Sequence, residues 1–296
     1  MQWVSLFSAI FVLYLGIHVF RMVPKKPVQK YFLLLCICFS LWGFLFSFRG
    51  LLPLELKNLA LNITVIPVLF APYLFYRIVW FITEKEGEPK TSLYVSSAIV
   101  LYLVGAALSS KMGVLTNPET FEAKGFLNYH LANAYCVLFS LRSMILLSKS
   151  SYEGSGMVKV RSALLLAGCL LGIWISIGFV YILPFFGLNK SYLASTGSVI
   201  FALSWSVAII HFDAFQVRER VLEGSGIPIL KRITLGLVMQ VYRILDPIGY
   251  NLNLQMSHEK FISDLLDHSN YLLSIPGSRK SERTKILRSR FKRYIR

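Results

Sequence analysis

Residues 191–219 read SYLASTGSVIFALSWSVAIIHFDAFQVRE, and this stretch decides the architecture of the chain. Its first part, 192–210, contains no charged residue and is long enough to cross the hydrocarbon core of a bilayer. The apolar run stops at His211, and the charged residues that follow, from Asp213 to Glu223, have a helix-like pattern. We therefore predict a membrane helix that continues into a cytoplasmic stalk.

Composition divides the chain into a membrane part and a basic tail. Of the 296 residues, 55% are hydrophobic and 16% are charged, whereas soluble domains carry about 25% charged residues. Lys and Arg outnumber Asp and Glu by 16 to 7 before residue 212 and by 15 to 8 after residue 211. The predicted parts are a seven-helix transmembrane domain (1–211), a helical stalk (212–223) and a basic cytoplasmic tail of amphipathic helices (224–296).

Seven apolar segments precede the tail, each close to the ~20 residues that span a bilayer. They are 3–20, 31–48, 61–82, 92–109, 129–148, 162–183 and 192–211. The sequence thus predicts an all-α integral membrane protein, a seven-transmembrane-helix bundle. Pro67 and Pro72 lie in the third segment, where they should kink the helix.

The distribution of Lys and Arg between the loops predicts the orientation. One set of loops carries nine of these residues, in 21–30, 84–90 and 149–161. The opposite set carries five, in 49–60, 110–129 and 185–190. The richer set should face the cytoplasm, which places the N-terminus outside and the C-terminus inside.

Small residues recur at every fourth position in the last two segments. They are Gly168, Gly172 and Ser176 in the sixth segment, and Ala194, Ser198, Ala202 and Ser206 in the seventh. A spacing of four places each set on one helix face, where two backbones can approach closely. The sets are interpreted as helix-packing seams; a sliding interface that relays a signal is the alternative.

A group of polar residues clusters near the predicted outer ends of the helices. Its members are Arg49, Asn62, Asn128, His130, Asn133, Tyr192 and Ser195. Together they could line an outward-facing pocket for a small polar or anionic ligand. The alternative is hydrogen bonding between helices and anchoring at the membrane interface.

Several kinds of chemistry are missing from the sequence. The seven apolar segments contain no Asp or Glu, which argues against a carrier coupled to protons or sodium. Neither a His-Glu-x-x-His nor a Gly-x-Ser-x-Gly motif occurs. The four cysteines lie in apolar runs without the spacing of a metal site, at Cys36, Cys38, Cys136 and Cys169. The sequence therefore predicts no cofactor, no metal and no enzymatic activity.

The end of the tail is strongly basic. Residues 279–296 hold nine Lys and Arg against one Glu. Such a run should bind anionic lipid of the inner leaflet. Because the chain is tethered beside a membrane, lipid is favoured over nucleic acid as its partner, and a merely solvated basic end is the alternative.

The third segment, with IPVLFAPYLFYRI at 66–78, and the junction AIIHFDAFQVRERV at 208–221 carry a resemblance. They are similar to the N-terminal seven-transmembrane sensor region of bacterial histidine kinases, over about 1–222. The resemblance implies a sensor module and supplies no catalytic residue. Ser257-His258-Glu259 is similar to the start of a phosphoacceptor box, but the residues after it depart from Arg-Thr-Pro-Leu, so His258 is not predicted to accept phosphate.

The favoured prediction is a sensor-like signalling protein of the bacterial inner membrane. It would bind an extracytoplasmic or membrane ligand and relay a shift through the seventh helix and the stalk to a cytoplasmic signalling partner. Two alternatives stay open: an uncoupled small-solute transporter, and a membrane scaffold that recruits a soluble enzyme.

Overall fold

The computed structural model describes residues 2–23, 25–83, 90–117, 122–188, 190–211 and 229–274. The predicted stalk, 212–223, and the basic end, 279–296, lie outside these described residues. The helices before residue 212 are α1 (Gln2–Arg21), α2 (Pro27–Phe48), α3 (Leu54–Ile63), α4 (Ile66–Ile82), α5 (Lys90–Leu108), α6 (Leu127–Glu153), α7 (Gly156–Ile177), the short α8 (Leu183–Phe185) and α9 (Ala194–Ile210). The tail contains α10 (Ile229–Leu245) and α11 (Pro247–Ser274).

Each of the seven predicted apolar segments lies on helix in the structure. Five helical stretches are long and apolar enough to cross a membrane by length and composition: Trp3–Arg21, Pro27–Leu51, Leu54–Ile82, Leu127–Glu153 and Gly156–Ile182. Two shorter apolar helices, Tyr94–Leu108 and Ala194–Ile210, accompany them. The chain is thus a mostly helical, multi-pass membrane protein; the count of seven spans and the orientation stay predictions.

The outward faces of these helices are apolar. Trp3 on α1, Leu101 on α5, Leu138 on α6 and Trp174 on α7 are each more than 60% exposed. Soluble proteins rarely expose so much apolar surface. Lipid is the environment in which these side chains are stable.

Helices α1 and α2 pack through small residues. The Ser40 hydroxyl on α2 donates to the Ala9 carbonyl on α1 at 2.9 Å. A Cβ on Gly43 would lie 2.9 Å from the Cβ of Ala9. Close packing and hydrogen bonds of this kind hold membrane helices together, because burial from water contributes nothing between them.

A turn at Thr64 and Val65 interrupts the third predicted helix. Helix α3 ends at Ile63, and α4 begins at Ile66 with Pro67 in its first turn. Pro67 lacks an N–H, and the first turn of a helix is where that group is not needed. Pro72 lies inside α4.

A two-stranded antiparallel hairpin departs from the all-α prediction. Strand β1 (Gly113–Asn117) pairs with β2 (Glu122–Gly125), with Gly113 opposite Gly125. Both residues of the pair Gly113–Gly125, at one end of the ladder, approach a neighbour closely: a Cβ on Gly113 would lie 2.9 Å from the carbonyl oxygen of Lys124. The hairpin lies in the predicted loop 110–129.

The chain divides into two compact units, Met1–Tyr152 with Arg161–Ile209, and Glu153–Val160 with Ile210–Arg296. In the second unit, α10 and α11 form a helical hairpin whose interior includes the fully buried Val238 and Tyr242. His211 is buried in this unit as well, and its Nε2 lies 2.7 Å from the Thr234 hydroxyl of α10.

Asp246 joins three pieces of the second unit. It precedes Pro247, the first residue of α11, and its Oδ1 accepts the N–H of Gly249 at 3.0 Å as an N-terminal cap. Its Oδ2 accepts the N–H of Gly156 at 2.7 Å. Gly156 has a φ of +60°, a left-handed conformation that favours glycine. The turn between α6 and α7 is therefore fixed to the junction between α10 and α11.

Asp246 gives a first testable prediction. The N–H groups of Gly249 and Gly156, with a smaller contribution from the charge of Lys159, lower the pKa of this carboxyl below its ordinary 3.8. Because its pKa is lower in the folded state, the ionised carboxylate of Asp246 stabilises the folded protein. This stabilisation is complete above about pH 4 and is lost as the pH falls through the folded-state pKa. The amide shifts of Gly156 and Gly249, followed by NMR, should titrate together with a midpoint below 3.8.

In Asp246→Asn this titration should vanish, and Asp246→Ala should cost about 1 kcal/mol for the lost cap alone. A midpoint at or above the ordinary aspartate value would show that the two amides do not hold the carboxylate.

Candidate functional site

A cavity of about 210 Å³ lies within the first unit, among α2, α4, α6, α7 and α9. Most of its wall is apolar, with Leu35 and Phe39 from α2, Pro72 and Phe75 from α4, and Phe201 from α9. Sites between the helices of a bundle are a common position for small ligands. It is the candidate functional site.

Aromatic rings form one side of the cavity. Phe201 meets Phe39 edge-on with ring centroids 5.5 Å apart, and it meets Phe75 edge-on at 6.2 Å. On its other side Phe201 stacks on Trp205 at 4.5 Å. Since Phe201 and Trp205 both belong to α9, a molecule in the cavity would press against the same helix that leads to the tail.

Trp205 also fixes α9 to α7. It is fully buried, and its indole N–H donates to the Leu165 carbonyl at 3.1 Å. Trp205→Phe removes this donor and part of the buried ring, so the free energy of unfolding should fall by about 1–2 kcal/mol. Unfolding by SDS should show the loss, whereas Trp174→Phe, at an exposed position of α7, should stay within about 0.5 kcal/mol of the wild type. Equal effects of the two substitutions would exclude the anchoring role.

Polar side chains gather at one end of the cavity. Tyr129 and Tyr181, both in the wall, have ring centroids 6.3 Å apart. The Tyr181 hydroxyl lies 2.9 Å from Nδ1 of His130. Arg49, with its guanidinium 3.8 Å from the ring centroid of Phe46, interacts electrostatically with Tyr129. The start of α6 and the residues that follow α7 therefore meet here, with the residue that follows α2 nearby.

A turn of π-helix places Tyr181. Residues Gly178–Ile182 have this wider geometry, in which the N–H of Leu183 bonds the carbonyl of Gly178, five residues back. Pro184 follows and has no N–H to give to the preceding turn, which favours such a departure. π-turns inside membrane helices often occur at functional sites.

Asn133 belongs to the cavity wall, and its amide donates to the Tyr129 carbonyl at 2.8 Å. Three of the seven residues predicted to bind a ligand thus belong to the polar end. Asn133 lines the cavity itself, whereas His130 bonds Tyr181 and Arg49 interacts electrostatically with Tyr129.

Asn62 and Asn128 instead hold the hairpin. The Asn62 side chain is fully buried; its oxygen accepts the N–H groups of Met112 at 2.9 Å and Gly113 at 3.1 Å. Its amide donates to the carbonyls of Asn58 at 2.8 Å and Gly113 at 3.0 Å. Asn128 donates to the Lys111 carbonyl at 3.1 Å and accepts from Tyr102 at 2.9 Å. These contacts use the hydrogen-bonding capacity of Asn62 within the chain.

Tyr192 and Ser195 lie at the start of α9. The Tyr192 carbonyl accepts the hydroxyl of Ser5 at 3.2 Å and that of Ser195 at 2.9 Å. Ser195 is buried. Their observed contacts join the beginning of α9 to α1.

The predicted seam on α7 meets α9. A Cβ on Gly168 would lie 2.6 Å from the Cβ of Ser204, and a Cβ on Gly172 would lie 2.9 Å from the carbonyl oxygen of Gly197. Ser176 donates to the Ala194 carbonyl at 3.2 Å. Gly197, Phe201 and Ser204 supply most of the α9 side of this contact. The predicted α9 set, Ala194, Ser198, Ala202 and Ser206, is buried.

Tyr129, Tyr181 and Phe201 are the site residues that sequence reasoning missed. Tyrosines near helix ends are typical of the membrane interface, and a phenylalanine in an apolar run has no distinguishing mark. Pro184 was the one signal that could have drawn attention to the turn that carries Tyr181.

Among the described residues, no group of three His, Cys, Asp and Glu is placed to hold a metal ion. His258 lies exposed on α11. The part of the chain that the structure describes thus offers the cavity as its candidate site.

Apolar helices around a cavity define a multi-pass helical membrane protein with a candidate site between its helices. Residues 4–218 match the family model of the N-terminal 7TM region of histidine kinases, and the chain belongs to this family. The resemblance carried by the third segment and by the junction at 208–221 is thereby confirmed, and it indicates a membrane sensory role. No curated protein and no solved structure matches the chain.

Proposed function

We propose that the chain is a membrane sensor in which a small molecule binds the cavity and shifts α9, which acts through residues 212–223 on a cytoplasmic signalling partner. The family supports the sensory role. The cavity carries the rest of the proposal, because its wall includes α9 itself.

Contacts around Phe201 support the relay. Phe201 forms part of the cavity wall and stacks on Trp205 of the same helix. It also lies against α7, where a Cβ added to Gly172 would be 2.7 Å from the Cβ of Phe201. In so tight a contact, a ligand that displaces the Phe201 side chain together with its Cβ would also change how α9 lies on α7. Packed interfaces of this kind switch between discrete arrangements instead of deforming gradually.

The relay requires two states of the bundle with different ligand affinities. A ligand that bound both states equally would shift nothing, whatever its affinity. Moving the equilibrium from 1:99 to 99:1 takes a difference in affinity of about 10⁴.

The proposal includes the orientation with the N-terminus outside, location in a bacterial inner membrane, and action through a partner without catalysis by this chain. The excess of Lys and Arg in the loops 21–30, 84–90 and 149–161 supports the orientation. The basic residues of 279–296 would bind anionic lipid beside the partner.

Spin labels on the full chain in lipid nanodiscs test the relay. In a variant without native cysteines, labels at Tyr152 and Arg218 would report the distance from the end of α6 to the segment that follows α9. We expect a compound found by screening to change this distance, and we expect Val68→Phe, which fills the cavity, to remove the change. A label pair at the exposed positions Leu101 and Leu138 should not respond. If compounds bound the cavity and the first distance never moved, the relay would be excluded.

A further inference from the structure

The cavity wall contains hydroxyl and amide groups but no ionisable acid or base that is charged at neutral pH. Among the described residues that line it, none is Asp, Glu, Lys, Arg or His. The side chains with a hydroxyl or amide group are Tyr129, Asn133, Ser140, Ser176, Tyr181 and Ser198, and Trp42 adds an indole N–H. Burying a charge without a partner of opposite charge is strongly unfavourable. A charged ligand would therefore bind this wall poorly.

Some of these polar groups are used by the wall itself. The Ser176 hydroxyl donates to the Ala194 carbonyl at 3.2 Å, and the Ser198 hydroxyl donates to the Ser195 carbonyl at 2.7 Å. Tyr181 is paired with His130. The polar groups that face the cavity from α6 are Tyr129, Asn133 and Ser140.

The α6 residues share one helix face. Asn133 follows Tyr129 by four positions and Ser140 follows Asn133 by seven, so the three side chains lie along one stripe. A side-chain amide can make up to four hydrogen bonds. The amide of Asn133 donates to the Tyr129 carbonyl, and the Asn133 side chain also bonds the Tyr129 side chain. The oxygen of Asn133 can still accept from a ligand group that donates, such as a hydroxyl. Facing this stripe are the rings of Phe39, Phe75 and Phe201.

We infer that the cavity takes an uncharged, mainly apolar small molecule that carries one hydrogen-bonding group, with this group against Asn133 and the apolar body against the rings of α2, α4 and α9. The inference rests on the proposed sensor function for its biological meaning. It replaces the polar or anionic ligand expected from the sequence, because Arg49 is stacked on Phe46 and is not among the residues of the cavity wall. The volume of about 210 Å³ exceeds the ~150 Å³ of an apolar protein cavity that holds benzene, which suits an alcohol of medium chain length.

Photolabelling of the full chain in nanodiscs of zwitterionic lipid tests this. The probe is a diazirine analogue of 1-octanol, and labelled residues are mapped by mass spectrometry. We expect labels on the cavity residues of α6 and α9, suppressed by excess 1-octanol. The permanently charged octyl sulfate and octyltrimethylammonium should not suppress them. Asn133→Leu should weaken competition by 1-octanol about three- to tenfold, as expected for one hydrogen bond.

Filling variants locate the site. Val68→Phe and Ala132→Leu, both at cavity positions, should each abolish the cavity labels; two variants are used so that one remains if the other fails to fold. Leu138→Phe, at an exposed position of the same α6, should leave them unchanged.

The outcomes separate the two proposals. Competition by octyl sulfate equal to that of 1-octanol would overturn the uncharged class, and labels insensitive to both filling variants would overturn the site. Cavity labelling as expected, without any movement between labels at Tyr152 and Arg218, would leave the ligand class standing and exclude the sensor relay.

Discussion

Gly197→Val is expected to separate α9 from α7 and to be among the most destabilising single substitutions in the bundle. A Cβ at Gly197 would lie 2.6 Å from the backbone carbonyl oxygen of Gly172, a distance that real Cβ atoms do not adopt. A backbone atom cannot rotate away as a side chain can, so the two helices must move apart. That movement would break the Ser176 and Trp205 hydrogen bonds to the facing helices. Overpacking alone costs about 1–3 kcal/mol, and the lost hydrogen bonds add to it.

Unfolding by SDS in mixed micelles, followed by tryptophan fluorescence, measures this effect. The matched control is Gly105→Val on α5, where an added Cβ would meet no atom within 4 Å. It should change stability by no more than about 0.5 kcal/mol. A Gly197 variant as stable as the Gly105 variant would mean that the close approach of α7 and α9 is not a feature of the native bundle.

Asn62→Leu is expected to release the hairpin from α3. The substitution leaves the N–H groups of Met112 and Gly113 and the carbonyl of Gly113 without their side-chain partner, in a fully buried position. Each unsatisfied buried group costs about 1–3 kcal/mol, so the loss should exceed about 3 kcal/mol unless the hairpin opens to water. Hydrogen exchange of the amides of Met112 and Gly113 should accelerate strongly in either case.

Two further variants test which hydrogen bonds hold the hairpin. Asn58→Ala removes only the hydrogen bond that the side-chain oxygen accepts from the N–H of Leu115 at 3.1 Å, so its effect should be about 1 kcal/mol. Asn62→Asp keeps the oxygen that accepts from Met112 and Gly113, but its second oxygen faces the carbonyls of Asn58 and Gly113. Its loss of stability should therefore be close to that of Asn62→Leu. If exchange at Met112 were unchanged in all three variants, the side chain of Asn62 would not hold the hairpin.

The helices could be predicted from the sequence because an apolar run in lipid has few other structures available to it. The hairpin could not, since its strands are short and its polar residues resemble any loop between two membrane helices. Nor did hydropathy show the break between Ile63 and Ile66, because both halves are equally apolar and only Pro67 marks the restart.

The polar end of the cavity could be predicted in part. Arg49, His130 and Asn133 attract attention because such side chains are rare in apolar helices. The same reasoning selected Asn62 and Asn128, whose partners are backbone groups of a hairpin that the pattern did not reveal. The spacing of four on α7 identified a face that touches α9, but α9 has small residues on more than one face, so spacing alone could not select Gly197. Phe39, Phe75 and Phe201 are brought together by tertiary packing alone.

The hydrogen bond from Gly156 to Asp246 limits how the bundle can be joined to a foreign C-terminal segment. A chimera joined after His211 would keep the turn between the two membrane helices but discard the carboxylate that accepts its 2.7 Å hydrogen bond. The N–H of Gly156 would then need another acceptor from the segment that replaces the tail. A chimera intended to preserve the native conformation of this turn should carry the helical hairpin 229–274 along with the bundle.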